Sequence, residues 1–188
     1  MLRLIFRFLF WIKGWKVVNL IPEVTNRCVM AAAPHTSNWD LVMTIVAFEK
    51  IKVPMRFTIK DDWLKPPFGP FIKPLGALAI DRSPKKPGEE RRSMVDAMAQ
   101  LFEDNKDIAL VITPEGTRKK VKELRTGFYH IALKAKVPIA LGYADYKKKI
   151  AGVGKVIYPT GNYEADLAEI KAFYAGITAA DQNLNSFI

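Results

Sequence analysis

Cysteine is nearly absent from this chain: Cys28 is the only one in 188 residues. One thiol cannot close an intrachain disulfide, and its apolar surroundings mark it for core packing. The count fits a reducing compartment. Histidine is almost as scarce, with two residues. No Cys-x-x-Cys, His-Glu-x-x-His or clustered acidic loop is present, so no metal site is expected. Internal repeats and low-complexity tracts are missing too. Acidic residues are in deficit: 19 Asp and Glu stand against 29 Lys and Arg, a net charge of +10. That balance points to an anionic partner (a phosphate-bearing substrate, a membrane surface or a nucleic acid) or to a solubilising surface. No nucleic-acid-reading motif accompanies it, so no nucleic-acid partner is expected. With 49% hydrophobic and 26% charged residues, the chain reads as globular, long enough for one domain with a sizeable core.

What is present begins at the amino end. Leu2, Leu4, Ile5, Phe6, Phe8, Leu9, Phe10, Trp11, Ile12 and Trp15 crowd residues 1–20, with Arg3, Arg7, Lys13 and Lys16 between them. Arg7 interrupts the apolar run, which is too short to span a bilayer. Bulky aromatics among cations suit a helix lying in the membrane interface near anionic headgroups. The plainer alternative is a terminal helix packed on its own domain or on a second subunit. A cleaved signal peptide is rejected, because cutting at Ala31-Ala32-Ala33 would destroy the first expected strand.

After a linker at 22–27, strand signals at 28–33, 55–59, 77–80, 108–113, 138–143 and 155–158 alternate with helix signals at 38–50, 87–104, 127–134 and 163–177. Residues 63–74 form a Pro- and aromatic-rich loop with at most short helical pieces. The pattern predicts an α/β fold: a single layered domain over 21–188, its mostly parallel mixed β-sheet flanked by helices, preceded by the amphipathic helix of 1–20. In such sheets, sites gather at the carboxyl ends of strands.

Three expected strand ends carry reactive groups. The first is Pro34-His35-Thr36-Ser37-Asn38-Trp39-Asp40. Five residues on one helix amount to about 140° of rotation, so His35 and Asp40 would not share a helix face. They meet if His35 lies in the loop and Asp40 in the first turn, which Ser37 or Asn38 as N-cap allows. A carboxylate on one imidazole nitrogen fixes the tautomer and leaves the other nitrogen as a base. Equally, Ser37-x-x-Asp40 fits a capping box, which would leave His35 an ordinary loop residue. The second end is Thr113-Pro114-Glu115-Gly116-Thr117-Arg118, a sharp turn in which Arg118 is a phosphate candidate backed by Lys119, Lys120 and Lys122. The third is Gly76-Ala77-Leu78-Ala79-Ile80-Asp81-Arg82, ending in a second arginine. Solvated charge or a surface ion pair is the ordinary fate of each.

Together these blocks resemble the PlsC-like glycerolipid acyltransferases, the lysophospholipid acyltransferase family. His35 to Asp40 matches the H-x4-D block, and Pro114 to Arg118 the P-E-G-T-R block. Gly76 to Arg82 resembles the apolar strand ending in arginine, and Lys136-Val137-Pro138-Ile139 the apolar segment around a proline. Lys60 followed by Leu64, Pro67 and Gly69 resembles the family's intervening segment. The resemblance covers about residues 28–145. The second proline of the fourth block is missing, with Leu141 and Gly142 in its place, and the chain is short for the family.

The resemblance implies an O-acyltransferase that moves a fatty acyl group from acyl-CoA or acyl-carrier protein to a lysophospholipid hydroxyl. The implied acceptor is 1-acyl-glycerol-3-phosphate; glycerol 3-phosphate or another lysolipid is the alternative. It implies His35 as base with Asp40 behind it, and no cofactor beyond the thioester co-substrate. Arg82, Glu115, Gly116, Thr117 and Arg118 fall to the acceptor's phosphate and glycerol, Thr117 mainly as a turn-shaping residue and Lys60 as a further phosphate candidate. The sequence does not identify the oxyanion donors; backbone N–H groups near the start of the 38–50 helix are the candidates. The expected location is the cytoplasmic face of a membrane, held through residues 1–20. A basic membrane- or nucleic-acid-binding module without catalysis is the reading from another class.

Overall fold

The computed structural model describes residues 2–80 and 93–188. Helix α1 (Leu2–Ile12) and strand β1 (Lys16–Asn19) open the chain. There follow β2 (Arg27–Ala32), α2 (Asn38–Lys50), β3 (Met55–Lys60), α3 (Gly69–Ile72), β4 (Ala77–Ile80), α4 (Met94–Asp104) and β5 (Ile108–Ile112). Helix α5 (Gly127–Ala135), β6 (Ile139–Asp145), β7 (Ile150–Ile157) and α6 (Tyr163–Ala175) complete it. The strands form one sheet in the order β1-β7-β6-β2-β5-β3-β4. Strands β6, β2, β5, β3 and β4 run parallel; β7 runs antiparallel to β6, and β1 parallel to β7. This is the expected mostly parallel mixed α/β sheet.

Two cores cover its faces, and the two-residue period of the strands assigns side chains to them. Val29 and Ala31 of β2 join Leu110, Ile139 and Leu141 on one face, beneath Phe102, Phe128, Ile131, Ile170 and Tyr174 of α4, α5 and α6. Cys28 and Met30 point the other way, toward Phe10, Met43, Val46 and Phe48 of α1 and α2. Burial on both faces explains why β2, β5 and β6 read as unbroken apolar runs. The Tyr174 hydroxyl ties α6 to the sheet by donating to Ala31 O (2.6 Å) and Gly142 O (3.2 Å).

Differences from the sequence reading concentrate at the sheet's antiparallel side. The helix within 1–20 ends at Ile12, and Lys16–Asn19 form an edge strand along Ile150 to Val153. A four-residue strand has too short an apolar pattern to be read, and its partner supplies the reason it forms. Strand β7 starts five residues before the expected 155, because Gly152 and Gly154 mask its β signal while pairing with β6 sustains it. The start of the expected 87–104 helix lies outside the described residues; α4 is described from Met94, capped by the Ser93 hydroxyl on Asp96 N (3.1 Å).

Helix α1 lies on α2. Phe10 is fully buried, and Arg3 and Arg7 both reach Glu49 at 3.0–3.2 Å. Its outer side exposes Leu4, Ile5, Phe8, Trp11 and Ile12, with Trp11 71% exposed. No described helix is long and apolar enough to cross a membrane.

Candidate active site

The register of the central strands brings the two best motifs together. Ala31 of β2 lies beside Ile112 of β5, so the loops leaving these parallel strands are neighbours at the sheet's carboxyl edge. Asp40 lies in the first turn of α2. Its Oδ2 accepts hydrogen bonds from Thr36 N and Ser37 N, each 2.8 Å, and lies 3.2 Å from His35 Nδ1. Ser37 Oγ accepts from Trp39 N at 3.2 Å, completing a capping box. The two readings of the motif are therefore one structure: the carboxylate that caps the helix also holds the imidazole. The pair is largely sheltered, with the His35 side chain 24% exposed and that of Asp40 9%. Nε2 of His35 has no hydrogen-bond partner among the described residues, and His35 lines the cleft described below.

Glu115 fixes the other side of the His35 loop. It is 3% exposed, and its Oε1 accepts the His35 backbone N–H at 2.8 Å. Burial pushes its carboxyl above the usual range, opposed by that hydrogen bond. The residue faces inward, as a brace for the loop, where the sequence reading put it among the acceptor's ligands. Gly116 turns the chain at φ +63°, and Arg125 packs over it so closely that a Cβ would lie 2.3 Å from the guanidinium Nε. Glycine is thus favoured there, both by the left-handed turn and by the room it leaves for the arginine. Thr117 Oγ1 accepts from Lys119 N at 3.3 Å, a turn-shaping bond. Arg118 is exposed at the rim and bonds Asn38 Oδ1. Lys60 closes β3, but its side chain lies outside the described residues, as does all of Arg82.

These loops border a cleft of about 620 Å³. His35, Asn38, Asp40, Gly116 and Arg125 line it together with Phe57, Val95, Met98, Phe128 and Ile131. It is a mostly apolar channel with a few polar groups gathered at one place, the usual make-up of a small-molecule site. The N–H groups of Thr36, Ser37 and Trp39 are taken up by Asp40 and Ser37. Those three are therefore unavailable as the oxyanion donors expected at the start of this helix.

Two site residues escaped the sequence reading. Tyr146, just past β6, donates its hydroxyl to Asp40 Oδ1 at 2.8 Å, across 106 positions of chain. No spacing rule reports such a contact. Arg125 follows a run of lysines and drew no notice in the sequence, yet among the described residues it lines the cleft. Its position just before α5, a helix entering the same cleft through Gly127, was the one available signal.

Comparisons with known proteins bear on the family and the fold. The Acyltransferase family model matches residues 17–140. A probable 1-acyl-sn-glycerol-3-phosphate acyltransferase of Mycoplasma pneumoniae is 32% identical over 79% of this chain and 58% of its own length. A 1-acyl-sn-glycerol-3-phosphate acyltransferase of Cocos nucifera is 30% identical over 71% of this chain and 42% of its own. The chain thus spans roughly half the length of these curated relatives. The crystal structure of the 1-acyl-sn-glycerophosphate acyltransferase PlsC from Thermotoga maritima superposes with a TM-score of 0.58 at 16% identity, covering 92% of this chain and 75% of that one, a likeness of fold. With two thirds of its length under one family model, and the H-x4-D and P-E-G-T-R blocks meeting at one cleft, the chain belongs to the Acyltransferase family.

Proposed function

We propose that this protein transfers a fatty acyl group from an acyl thioester, acyl-CoA or acyl-carrier protein, to the free hydroxyl of 1-acyl-glycerol-3-phosphate, giving phosphatidic acid. The observation that carries the reading is the His35–Asp40 pair, 3.2 Å apart on the wall of a mostly apolar cleft. Asp40 holds Nδ1 as the N–H form, leaving Nε2 to take the hydroxyl proton as the oxygen attacks the thioester carbonyl. The tetrahedral intermediate collapses by breaking the C–S bond, and the imidazolium returns its proton to the departing thiolate. General-base catalysis of this kind contributes about 10²–10⁴-fold, and positioning supplies much of the rest. The apolar lining suits an acyl chain. Arg125 within the cleft and Arg118 at its rim suit the acceptor's phosphate. The reaction uses no cofactor beyond its thioester co-substrate.

The exposed side of α1, with Leu4, Ile5, Phe8, Trp11 and Ile12, is the proposed contact with the membrane that holds the lipid acceptor. The protein works there as a peripheral or monotopic enzyme on the cytoplasmic face. The test is thiol release from palmitoyl-CoA and palmitoyl-carrier protein, with and without lysophosphatidic acid, for wild type and His35→Ala. Acceptor-dependent release that yields phosphatidic acid and vanishes in the variant is the expected result. Normal turnover by folded His35→Ala protein refutes the base. His35-dependent release with only another lysolipid keeps the chemistry and replaces the acceptor.

A further inference from the structure

Asp40 uses both carboxylate oxygens. Oδ2 serves His35 and two backbone N–H groups, while Oδ1 receives the Tyr146 hydroxyl at 2.8 Å. Nothing in local sequence places Tyr146 there. It sits immediately beyond β6, where its own N–H donates to Thr178 O at 2.9 Å. Its ring stands edge-on to Trp15, with centroids 4.9 Å apart at 86°. Trp15 is 8% exposed and in turn meets Phe10 of α1 at 6.0 Å. A continuous set of contacts therefore runs from the amino-terminal helix, through Trp15 and Tyr146, to the carboxylate behind His35.

We infer that Tyr146 is a positioning residue for the His35–Asp40 pair, and that Trp15 holds its ring in place, so the amino-terminal segment braces the catalytic base as well as contacting the membrane. The inference rests on the reading of His35 as base. Three physical consequences follow. With Oδ1 anchored, the carboxylate cannot rotate about its bond to the chain, and Oδ2 stays in the line of Nδ1. Burial first, and the neighbouring Asp40 charge second, hold the Tyr146 hydroxyl protonated far above its ordinary range, so it remains a donor at every working pH. Donation to Oδ1 also draws off part of the negative charge that stabilises the imidazolium. Among the described residues, the other ionisable groups around this cleft and loop include Glu115 and Arg118 beyond β5, Arg125 before α5, Tyr143 on β6 and Lys13 after α1, whose ammonium lies 4.9 Å from the Trp39 ring centroid.

The experiment compares wild type, Tyr146→Phe, Trp15→Leu, the double variant and His35→Ala in the full chain, with the thioester donor and lysophosphatidic acid. Tyr146→Phe keeps the ring and its contact with Trp15 and removes only the donor. Its kcat should fall about tenfold, as for loss of one hydrogen bond to a charged group. KM for both substrates should stay within about twofold, because the residue touches neither. The acid limb of kcat/KM should move to higher pH by about half a unit, since the carboxylate regains its full charge. Trp15→Leu should lower kcat about threefold alone and leave it unchanged in the Tyr146→Phe background, the non-additivity expected of residues acting through one contact.

A second readout needs no turnover: the downfield Nδ1–H proton resonance of His35 should be sharp in wild type and broadened in Tyr146→Phe. With two histidines in the chain, His130→Gln assigns it. An unchanged resonance together with an unchanged acid limb in Tyr146→Phe overturns the positioning role. Additive losses in the double variant overturn the part assigned to Trp15. Persistent turnover in His35→Ala with the resonance behaving as expected would instead sink the base assignment and leave the hydrogen-bond network intact.

Discussion

Asp40→Asn separates the two tasks of one carboxylate. The amide retains an oxygen that can accept from Thr36 N and Ser37 N, and its NH₂ can donate to the Tyr146 oxygen, so the helix start keeps its partners. What it removes is a unit charge 3.2 Å from His35 Nδ1. At that distance Coulomb's law gives about 5 kcal/mol for an imidazolium–carboxylate pair at an effective dielectric constant of about 20. Partial exposure of His35 brings this down toward half. A loss of about 3–5 kcal/mol from a transition state with imidazolium character is roughly 10²–10⁴ in kcat. Stability should fall by no more than about 1 kcal/mol, the usual scale for changing a cap. Asp40→Ala is the control. It leaves two backbone N–H groups and a phenol without their acceptor, and at about 1–3 kcal/mol for each buried unsatisfied group it should destabilise strongly as well as inactivate. The assay is acceptor-dependent thiol release beside urea unfolding of each variant. An Asn variant with more than a tenth of wild-type kcat refutes the charge argument. One as unstable as the Ala variant refutes the assigned hydrogen bonds.

Arg125→Ala should raise KM for a phosphate-bearing acceptor by about 10–100-fold, the worth of a charge-assisted hydrogen bond, whereas Arg118→Ala at the rim should cost less; steady-state kinetics with varied acceptor reads both. Gly116→Ala should be more damaging than its size suggests, because its Cβ would displace the Arg125 side chain, and melting temperature and KM should change together. Tyr129→Phe removes a 2.6 Å bond to Asp166, a residue 5% exposed, and should cost about 1–3 kcal/mol in urea unfolding. For Asp166, burial disfavours the charged form, but donation from Tyr129 and Thr160 outweighs it and holds the carboxyl below its ordinary range. A depressed folded-state pKa contributes stability that is fully present above the unfolded value of about 3.9 and is lost as pH falls through the folded one. The acid-induced loss of stability should therefore be shallower in Tyr129→Phe. Burial alone pushes the Cys28 thiol up to about 12, so a thiol reagent at neutral pH should label it only on unfolding, and Cys28→Ala should leave turnover intact.

Much of the site was legible along the chain because its pieces are local. An apolar run, a proline, a histidine and a capping box within thirteen residues encode strand, turn, base and helix start together. The turn at Glu115 and Gly116 is equally local, as are the alternating elements that give the α/β class. Sequence alone thereby determined the mostly parallel architecture and the family resemblance, and through that resemblance pointed to His35 and Asp40 as a pair; the contact itself, within a capping box, is a fact of the folded loop. Only the tertiary structure decided what depends on non-neighbours. Edge strand β1 exists because β7 offers it a ladder. Glu115 braces the His35 loop because β2 and β5 are adjacent in register. Arg125 enters the cleft by packing on a glycine nine residues earlier, and Tyr146 reaches Asp40 from the far end of β6. Hydrophobic period and turn chemistry act over a few residues and can be read in one dimension, whereas a contact across the sheet is fixed by strand order, which no local pattern carries.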